Sequence, residues 1–203
     1  MIETNTIENG HELMPPEREQ EDSRGDGWYV DSKGRKFFPC DPYPEEFDIE
    51  DIAFTLSNLC RWGGKVEFLS VAEHSCMVSD HCPPAYKLLG LLHEIDEAAM
   101  GLDCVRPLKY QLPELVKIGN HIWSVAAPVF GLPTTNPRDV PAVEEADDRC
   151  LITERNQLMP AGPNTRNWYC DHIGLKPYDY RVQNWAPIVA RREFLKRYHA
   201  LTT

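Results

Sequence analysis

One stretch of the chain is apolar on nearly all sides and still carries charged residues. Residues 85–101 read AYKLLGLLHEIDEAAMG, and leucine or isoleucine recurs too often for one side of a helix to stay polar. A helix of this kind must be buried. Its polar members His93, Glu94 and Glu97 then each need a partner, because an apolar core leaves such groups unsatisfied. The sequence therefore predicts a buried helix with a polar centre.

Helical periodicity continues on both sides of this stretch. Residues 48–64 repeat their apolar members every three or four positions, with Asp48 as N-cap and Gly63-Gly64 as the predicted end. Ser70 and Glu73 form a capping-box pattern at the start of the next helix. Further helical patterns cover residues 112–131, 139–159 and 187–200, with a Pro- and Gly-rich stretch over 160–178. A short hairpin is predicted at residues 32–34, and the fold class is all-α.

The charge of the chain is concentrated at its N-terminus. Of the net charge of −11, residues 1–26 contribute eight acids and two arginines, which is −6. We predict a disordered or loosely attached acidic tail over residues 1–26 and one domain over residues 27–203.

Composition excludes several classes of function. A content of 42% hydrophobic and 26% charged residues is ordinary for a globular protein, and no apolar run approaches the ~20 residues of a membrane span. The acidic balance disfavours a nucleic acid polymer as partner. Seven cysteines without a CxxC pair, and no apparent signal peptide, predict a reduced, cytoplasmic protein whose cysteines are mostly small core residues.

Three positions combine imidazole and carboxylate in helical segments. They are His74, the pair His93-Glu94, and Asp147 in the run EEADDRCLITER. Imidazole with carboxylate is a good ligand set for a divalent transition metal. From the residues alone, hydrogen-bonded core histidines remain the alternative. His81, seven residues after His74, is either a further ligand or a residue at the rim or surface.

These motifs, taken in order, carry a family resemblance. The chain has SVAEHS, then LLHE, then RPLK, then AD followed by TER. In this combination it resembles the HD-domain phosphohydrolases, and it is similar to the short phage and bacterial branch related to the HD-domain 5′-deoxynucleotidases. The resemblance covers roughly residues 34–201 and is poor over 160–180. It implies an HD-domain helical bundle with a short irregular or β-hairpin N-terminal extension.

The resemblance implies a metal set of His74, His93, Glu94 and Asp147. The cofactor would be one divalent transition metal ion, and Co, Mn, Zn, Ni and Fe all suit such ligands. The chain departs from the family at one point, since its doublet is His-Glu rather than His-Asp. Asp96 is a possible substitute ligand, but its position in the helix does not match the doublet.

The resemblance also implies roles for residues around the metal. Arg61 and Lys109 would contact the substrate phosphate, and Trp62 would pack on the sugar. Glu97 and Asp103 would activate water or protonate the leaving group. The alternatives from the residues alone are a pairing of Arg61 with Glu67 or Glu73, a core position for Trp62, and a solvated loop charge for Lys109.

The expected function is metal-dependent hydrolysis of a deoxynucleotide phosphoester, most simply a 5′-nucleotidase acting on deoxynucleoside monophosphates. A deoxynucleoside triphosphate triphosphohydrolase with the same metal centre is the near alternative. A nucleotide-binding module with impaired catalysis is the alternative of another class, supported by Glu94. The SVAEHS and RPLK motifs argue against a cyclic-nucleotide phosphodiesterase or a (p)ppGpp hydrolase. The expected partner is a small-molecule nucleotide, and a homodimer or higher homo-oligomer remains open.

Overall fold

Helices make up nearly all of the regular structure in the computed structural model, which describes residues 23–165 and 168–203. The fold class is all-α, as predicted. The helices are α1 (Ile49–Asn58), α2 (Val71–His81), α3 (Lys87–Leu92), α4 (Ile95–Met100), α5 (Arg106–Lys109), α6 (Pro113–Val129), α7 (Pro141–Leu158), α8 (Tyr169–His172) and α9 (Pro187–Thr202). The predicted helical regions 112–131, 139–159 and 187–200 correspond to α6, α7 and α9.

The predicted N-terminal hairpin is confirmed. Strand β1 (Tyr29–Val30) pairs antiparallel with strand β2 (Lys36–Phe37), and Tyr29 lies opposite Phe37. Gly34 has a φ of +79° in the connecting turn, a conformation that favours glycine. The hairpin packs on the core through the half-buried ring of Tyr29 and the buried ring of Phe37.

Arg24, which lies within the predicted acidic tail, contacts the domain. The guanidinium of Arg24 binds Glu46 at 2.8 Å and lies over the rings of Phe38 and Tyr43. The folded domain thus includes contacts with a residue two positions before the predicted end of the acidic tail at residue 26. Residues 1–22 of that predicted tail lie outside the described residues.

Helix α1 begins as predicted and ends earlier than predicted. The side chain of Asp48 accepts hydrogen bonds from the backbone N–H groups of Glu50 and Asp51, which confirms the N-cap. The predicted end at Gly63-Gly64 is wrong. The chain becomes extended at Leu59, because backbone hydrogen bonds join residues 59 and 61 to residues 71 and 69. This short antiparallel contact places the following Arg61 beside the start of α2.

Helix α2 is capped by Ser70, whose hydroxyl accepts from the backbone N–H of Glu73 at 3.1 Å. The predicted capping box is only half formed. The buried carboxylate of Glu73 instead accepts from the backbone N–H groups of Gln183, Asn184 and Trp185, at 2.7, 3.1 and 2.6 Å. Glu73 therefore anchors the chain segment that leads into α9.

The prediction of one continuous helix over residues 85–101 is wrong. The helical hydrogen-bond pattern is interrupted between α3 and α4 at His93 and Glu94, where Glu94 has φ −108° and ψ 24°. Its carbonyl still accepts from the N–H of Glu97 and so starts α4. The predicted burial is confirmed, since Leu91, Leu92 and Ile95 are fully buried.

Helix α2 lies at the centre of the bundle and contacts α1, α3, α7 and α9. The approach to α3 is close at Gly90, where a Cβ would lie 2.7 Å from the sulfur of Cys82. Glycine at this position therefore allows the two histidine-bearing elements to meet. Five of the seven cysteines are buried, as predicted. Within the described residues, no helix combines the length and apolarity needed to cross a bilayer.

Candidate metal centre

His93 lies at the break between α3 and α4, and its ring is fixed by the backbone. The Nδ1 atom lies 2.7 Å from the carbonyl oxygen of Gly90. A carbonyl only accepts, so Nδ1 carries the proton and donates it. In a neutral ring the other nitrogen, Nε2, then keeps its lone pair, and this atom lies close to His74.

His74 reaches the same place from α2. Its Nδ1 lies 2.6 Å from Oε1 of Glu154, a carboxylate on α7 that is fully buried. Its Nε2 lies 3.3 Å from Nε2 of His93 and 3.1 Å from Oδ1 of Asp147. With Nδ1 donating to Glu154, a neutral His74 ring turns the lone pair of Nε2 toward His93 and Asp147.

The donor atoms converge as a metal site requires. One ligand atom each from His74, His93 and Glu94 lies within 4.8 Å of the others, and all three residues are buried. The two Nε2 lone pairs and the carboxylates repel one another unless a cation or a shared proton lies between them. Imidazole nitrogens whose Nδ1 atoms are held by acceptors are the usual arrangement around a transition metal. The residues present thus fit such an ion.

The neighbouring residues Asp147 and Asp148 have different partners. Asp147 faces His74, whereas Oδ1 of Asp148 binds Arg106 Nη1 at 3.0 Å. Arg106 Nη2 also lies 3.5 Å from Oδ2 of Asp147. Asp147, the residue identified from the resemblance, therefore joins the buried cluster through His74, and Asp148 lies beside it.

The charges of the cluster shift its protonation equilibria. Burial and the charge of Arg61 lower the pKa of His74, but Glu154 and Asp147 outweigh them and raise it to about 9. Burial opposes ionisation of Asp147, yet its hydrogen bond with His74 holds the pKa of that carboxyl well below its usual range. In the absence of another cation, the Asp147 carboxyl and the His74 imidazole therefore share a proton, and each affects the titration of the other.

Arg61 and Trp62 occupy a turn of unusual backbone. Trp62 has φ 62° and ψ 23°, and Gly63 and Gly64 also have positive φ. For a tryptophan this left-handed conformation costs about 1–2 kcal/mol. Arg61 Nε and Trp62 Nε1 both donate to Oε2 of Glu154, at 3.0 and 3.1 Å. The strained turn thus presents both side chains to the carboxylate that also binds His74.

Arg61 also faces the centre directly. Its Nη1 lies 3.8 Å from Oε1 of Glu94, and the residue is 7% exposed. The indole of Trp62 is half-buried, with its ring centre 5.7 Å from that of Trp168. The alternative pairing of Arg61 with Glu67 or Glu73 is not what the structure shows.

Glu97 is buried one turn after the break. Lys109 Nζ binds its Oε1 at 2.6 Å, so Lys109 is not a solvated loop charge. The other carboxylate oxygen of Glu97, Oε2, is buried and has no hydrogen-bond partner among the described residues. Burial and the charge of Glu94 raise the pKa of Glu97 well above its ordinary value.

Asp103 lies in the loop between α4 and α5 and is half-buried. Its negative charge adds to those that raise the pKa of Arg61 and of Glu97. The structure thus places it in the electrostatic neighbourhood of the centre, and among the described residues no hydrogen bond to its side chain is found. His81 lies elsewhere, stacked on the ring of Tyr178 at 3.8 Å with its Nδ1 on the carbonyl of Met77.

Two residues of the centre were missed by the sequence analysis. Glu154, within the TER motif, was given no role there, although it binds His74, Arg61 and Trp62. Its signal was its spacing of seven residues, about two helical turns, from Asp147. Arg138, in the turn before α7, binds Glu94 Oε2 at 2.7 Å, and no local pattern pointed to it.

Comparison with known proteins gives two relatives. The chain is 34% identical to the uncharacterized protein YfdR of Escherichia coli K12 over 126 residues, which are 62% of this chain and 68% of YfdR. It is 30% identical to the uncharacterized protein RCAP_rcc00048 of Rhodobacter capsulatus over 191 residues, 86% of this chain and 95% of that protein. No protein-family model matches the chain.

Proposed function

The chain belongs to the same family as YfdR and RCAP_rcc00048, and from its buried centre we propose that it is a metal-dependent phosphohydrolase of deoxynucleotides. The proposal is carried by one observation. The Nε2 atoms of His74 and His93 face each other at 3.3 Å, while Glu154 and a backbone carbonyl hold their Nδ1 atoms. Glu94 and Asp147 supply carboxylate oxygens beside them.

The proposal includes an HD-domain fold. In its support, the motif residues that are far apart in the sequence meet around this centre. They are SVAEHS at the start of α2, LLHE at the break after α3, and AD with TER on α7. RPLK forms α5, from which Lys109 reaches Glu97. The observed all-α architecture agrees with a bundle of this kind.

A divalent transition metal held by His74, His93, Glu94 and Asp147 would supply Lewis acidity toward a phosphoryl oxygen and toward water. The chain adds positive charge for the phosphate. Arg61 uses Nε for Glu154, and its Nη1 faces the centre. Arg61 is therefore the proposed phosphate contact.

Glu97 is the proposed general acid. Its carboxyl is buried, its pKa is raised, and Lys109 fixes Oε1, while Oε2 has no hydrogen-bond partner in the part of the chain that the structure describes. A protonated carboxyl at this position donates its proton to the 5′-oxygen that leaves the phosphate. Asp103 keeps negative charge nearby and so helps to hold that proton on Glu97.

The substrate is proposed to be a deoxynucleoside monophosphate. Trp62 presents its indole next to Arg61, and Trp168 adds a second aromatic ring for the sugar or base. The cations around the centre already have carboxylate partners; they are Arg61, Arg106, Lys109 and Arg138. One phosphate is easier to neutralise there than three, which favours a 5′-nucleotidase over a triphosphohydrolase.

A second candidate is a nucleotide-binding module with impaired catalysis. It is favoured by the ion pair between Glu94 Oε2 and Arg138, which removes one oxygen of the doublet carboxylate from the centre. In this case the protein retains a nucleotide and turns it over slowly or not at all.

Product analysis by ion-exchange chromatography tests the proposal. The protein is incubated with deoxynucleoside mono- and triphosphates and with Co, Mn or Zn, alongside the His93→Ala variant. Release of phosphate from monophosphates that is lost in the variant supports the nucleotidase. Release of triphosphate from triphosphates instead supports the triphosphohydrolase and contradicts the nucleotidase. No turnover by a folded, metal-loaded protein that binds nucleotide favours the binding module.

A further inference from the structure

The carboxylate of Glu94 is divided between two environments. Its Oε1 faces the centre, 3.4 Å from His93 Nε2 and 4.0 Å from His74 Nε2. Its Oε2 faces away and accepts from Arg138 Nη2 at 2.7 Å. Glu94 is 3% exposed, so this orientation is set by protein contacts and not by solvent.

Arg138 is itself held in place by its turn. The side chain of Asn136 accepts from the backbone N–H of Arg138 at 2.9 Å and donates to Asn120 of α6 at 2.7 Å. The indole of Trp123, also on α6, donates to the carbonyl of Thr135 at 2.9 Å. Helix α6 therefore fixes the turn that carries the guanidinium.

A second carboxylate faces the same guanidinium. Asp96 Oδ2 lies 3.8 Å from Arg138 Nη1. Helix α6 makes room for Asp96 at Gly119, where a Cβ would lie 2.9 Å from Oδ2. Glu94 thus binds one terminal nitrogen of the planar guanidinium while Asp96 faces the other, an arrangement that restricts rotation of the group.

We propose that Arg138 is the positioning residue that directs Oε1 of Glu94 toward the two histidines by holding Oε2. The proposal rests on the proposed metal-dependent function. A glutamate carries one more methylene than an aspartate, about 1.5 Å of extra reach, and has more rotamers to fix. Arg138 fixes them, and so lets a His-Glu doublet present a single oxygen to a metal.

Metal affinity, measured by competition with a chromophoric chelator, tests this directly. The series comprises the full chain, Arg138→Met, Arg138→Lys, and Arg191→Met as matched control. Arg191 has a similar exposure, 34% against 36%, and binds Glu50 at 2.9 Å on the surface formed by α1 and α9. Loss of an orienting partner outside the ligand set costs about 10- to 100-fold in metal affinity. We expect this loss in Arg138→Met, a smaller loss in Arg138→Lys, and none in the control.

The Glu94→Asp background distinguishes positioning of the carboxylate by Arg138 from an effect of the Arg138 charge on metal affinity. The shorter carboxylate cannot reach both the centre and Arg138, so Arg138→Met should have little effect on metal affinity in that background. An equal loss in both backgrounds overturns the proposal, because Arg138 would then act through its charge alone. Unfolding in chelator shows which variants fold, and the Lys variant carries the comparison if the Met variant does not.

The remaining outcomes are distinct. Unchanged affinity in Arg138→Met or, if that variant does not fold, in Arg138→Lys overturns the positioning role and leaves the proposed function standing. Failure of the unaltered chain to bind Co, Mn or Zn overturns both.

Discussion

Glu154 Oε1 lies 2.6 Å from Nδ1 of His74, and this contact links two parts of the centre. The other oxygen of Glu154 accepts from Arg61 and Trp62. One buried carboxylate on α7 therefore orients a proposed metal ligand and a proposed phosphate contact together. A change at Glu154 should disturb both.

Replacing Glu154 with glutamine should weaken metal binding by about 10- to 100-fold. The amide offers one acceptor oxygen where the carboxylate offers two, so an N–H group then faces either His74 Nδ1 or the donors of Arg61 and Trp62, and the unfolding free energy should fall by about 3 kcal/mol. Metal competition and denaturant unfolding in chelator measure the two effects. Glu145→Gln, at an exposed position of the same helix, is the control. Unaltered metal affinity in Glu154→Gln would mean that His74 is oriented by other contacts.

Glu97→Gln should lower kcat by about 10²- to 10⁴-fold, the usual contribution of a general acid. The amide keeps the shape of the side chain and its contact with Lys109, so metal content should not change. Steady-state kinetics with elemental analysis separates the two readouts. Glu114→Gln, exposed at the start of α6, is the control. Full activity without Glu97 would assign the proton transfer to another group.

Metal should stabilise the folded protein, because the unfolded chain does not bring the ligands together. At a free metal concentration of 100 times Kd, the unfolding free energy should rise by about 2.7 kcal/mol. Calorimetry with and without chelator measures this gain. It should vanish in His93→Ala and persist in His121→Ala, an exposed histidine on α6. An equal gain in His93→Ala would place the metal elsewhere.

The ion pair between Arg155 and Asp171 should make stability depend on pH. Hydrogen bonds from Arg155, at 2.6 and 2.7 Å, lower the pKa of Asp171 to about 2. A carboxyl with a depressed folded-state pKa stabilises above its unfolded value of about 3.9, and this stabilisation is lost as the pH falls toward 2. Asp171→Asn should cost about 1 kcal/mol at neutral pH, and the difference should shrink below about pH 4.

Urea unfolding at several pH values checks this prediction, with Asp179→Asn, also exposed, as the control. If the loss of unfolding free energy in Asp171→Asn stays constant from pH 7 to pH 3, the substitution acts through packing of α8 and not through the charge of Asp171.

Local chemistry predicted the helix starts well. Asp48 and Ser70 cap α1 and α2 as their types indicate, since a cap depends only on residues two or three positions away. The end of α1 and the break at His93-Glu94 were not predicted. Both depend on contacts with other elements, namely the backbone pairing of residue 59 with residue 71 and the side-chain cluster around α2.

The candidate site was predicted in part for a similar reason. His93 and Glu94 stand out in the sequence because they interrupt an apolar helix. Glu154 binds a residue 80 positions away and Arg138 binds one 44 positions away. No periodicity connects such pairs, and an arginine in a polar turn resembles any solvated charge until the fold buries its partner.

The cap that Glu73 provides for residues 183–185 has a consequence for synthesis of the protein. A chain that leaves the ribosome N-terminus first produces α2 more than 100 residues before the backbone N–H groups that its carboxylate binds. Until then that carboxylate remains hydrated, because burying it without these donors is unfavourable. Burial of the start of α2 must therefore await synthesis of residues 183–185, so this part of the bundle closes only after those residues have left the ribosome.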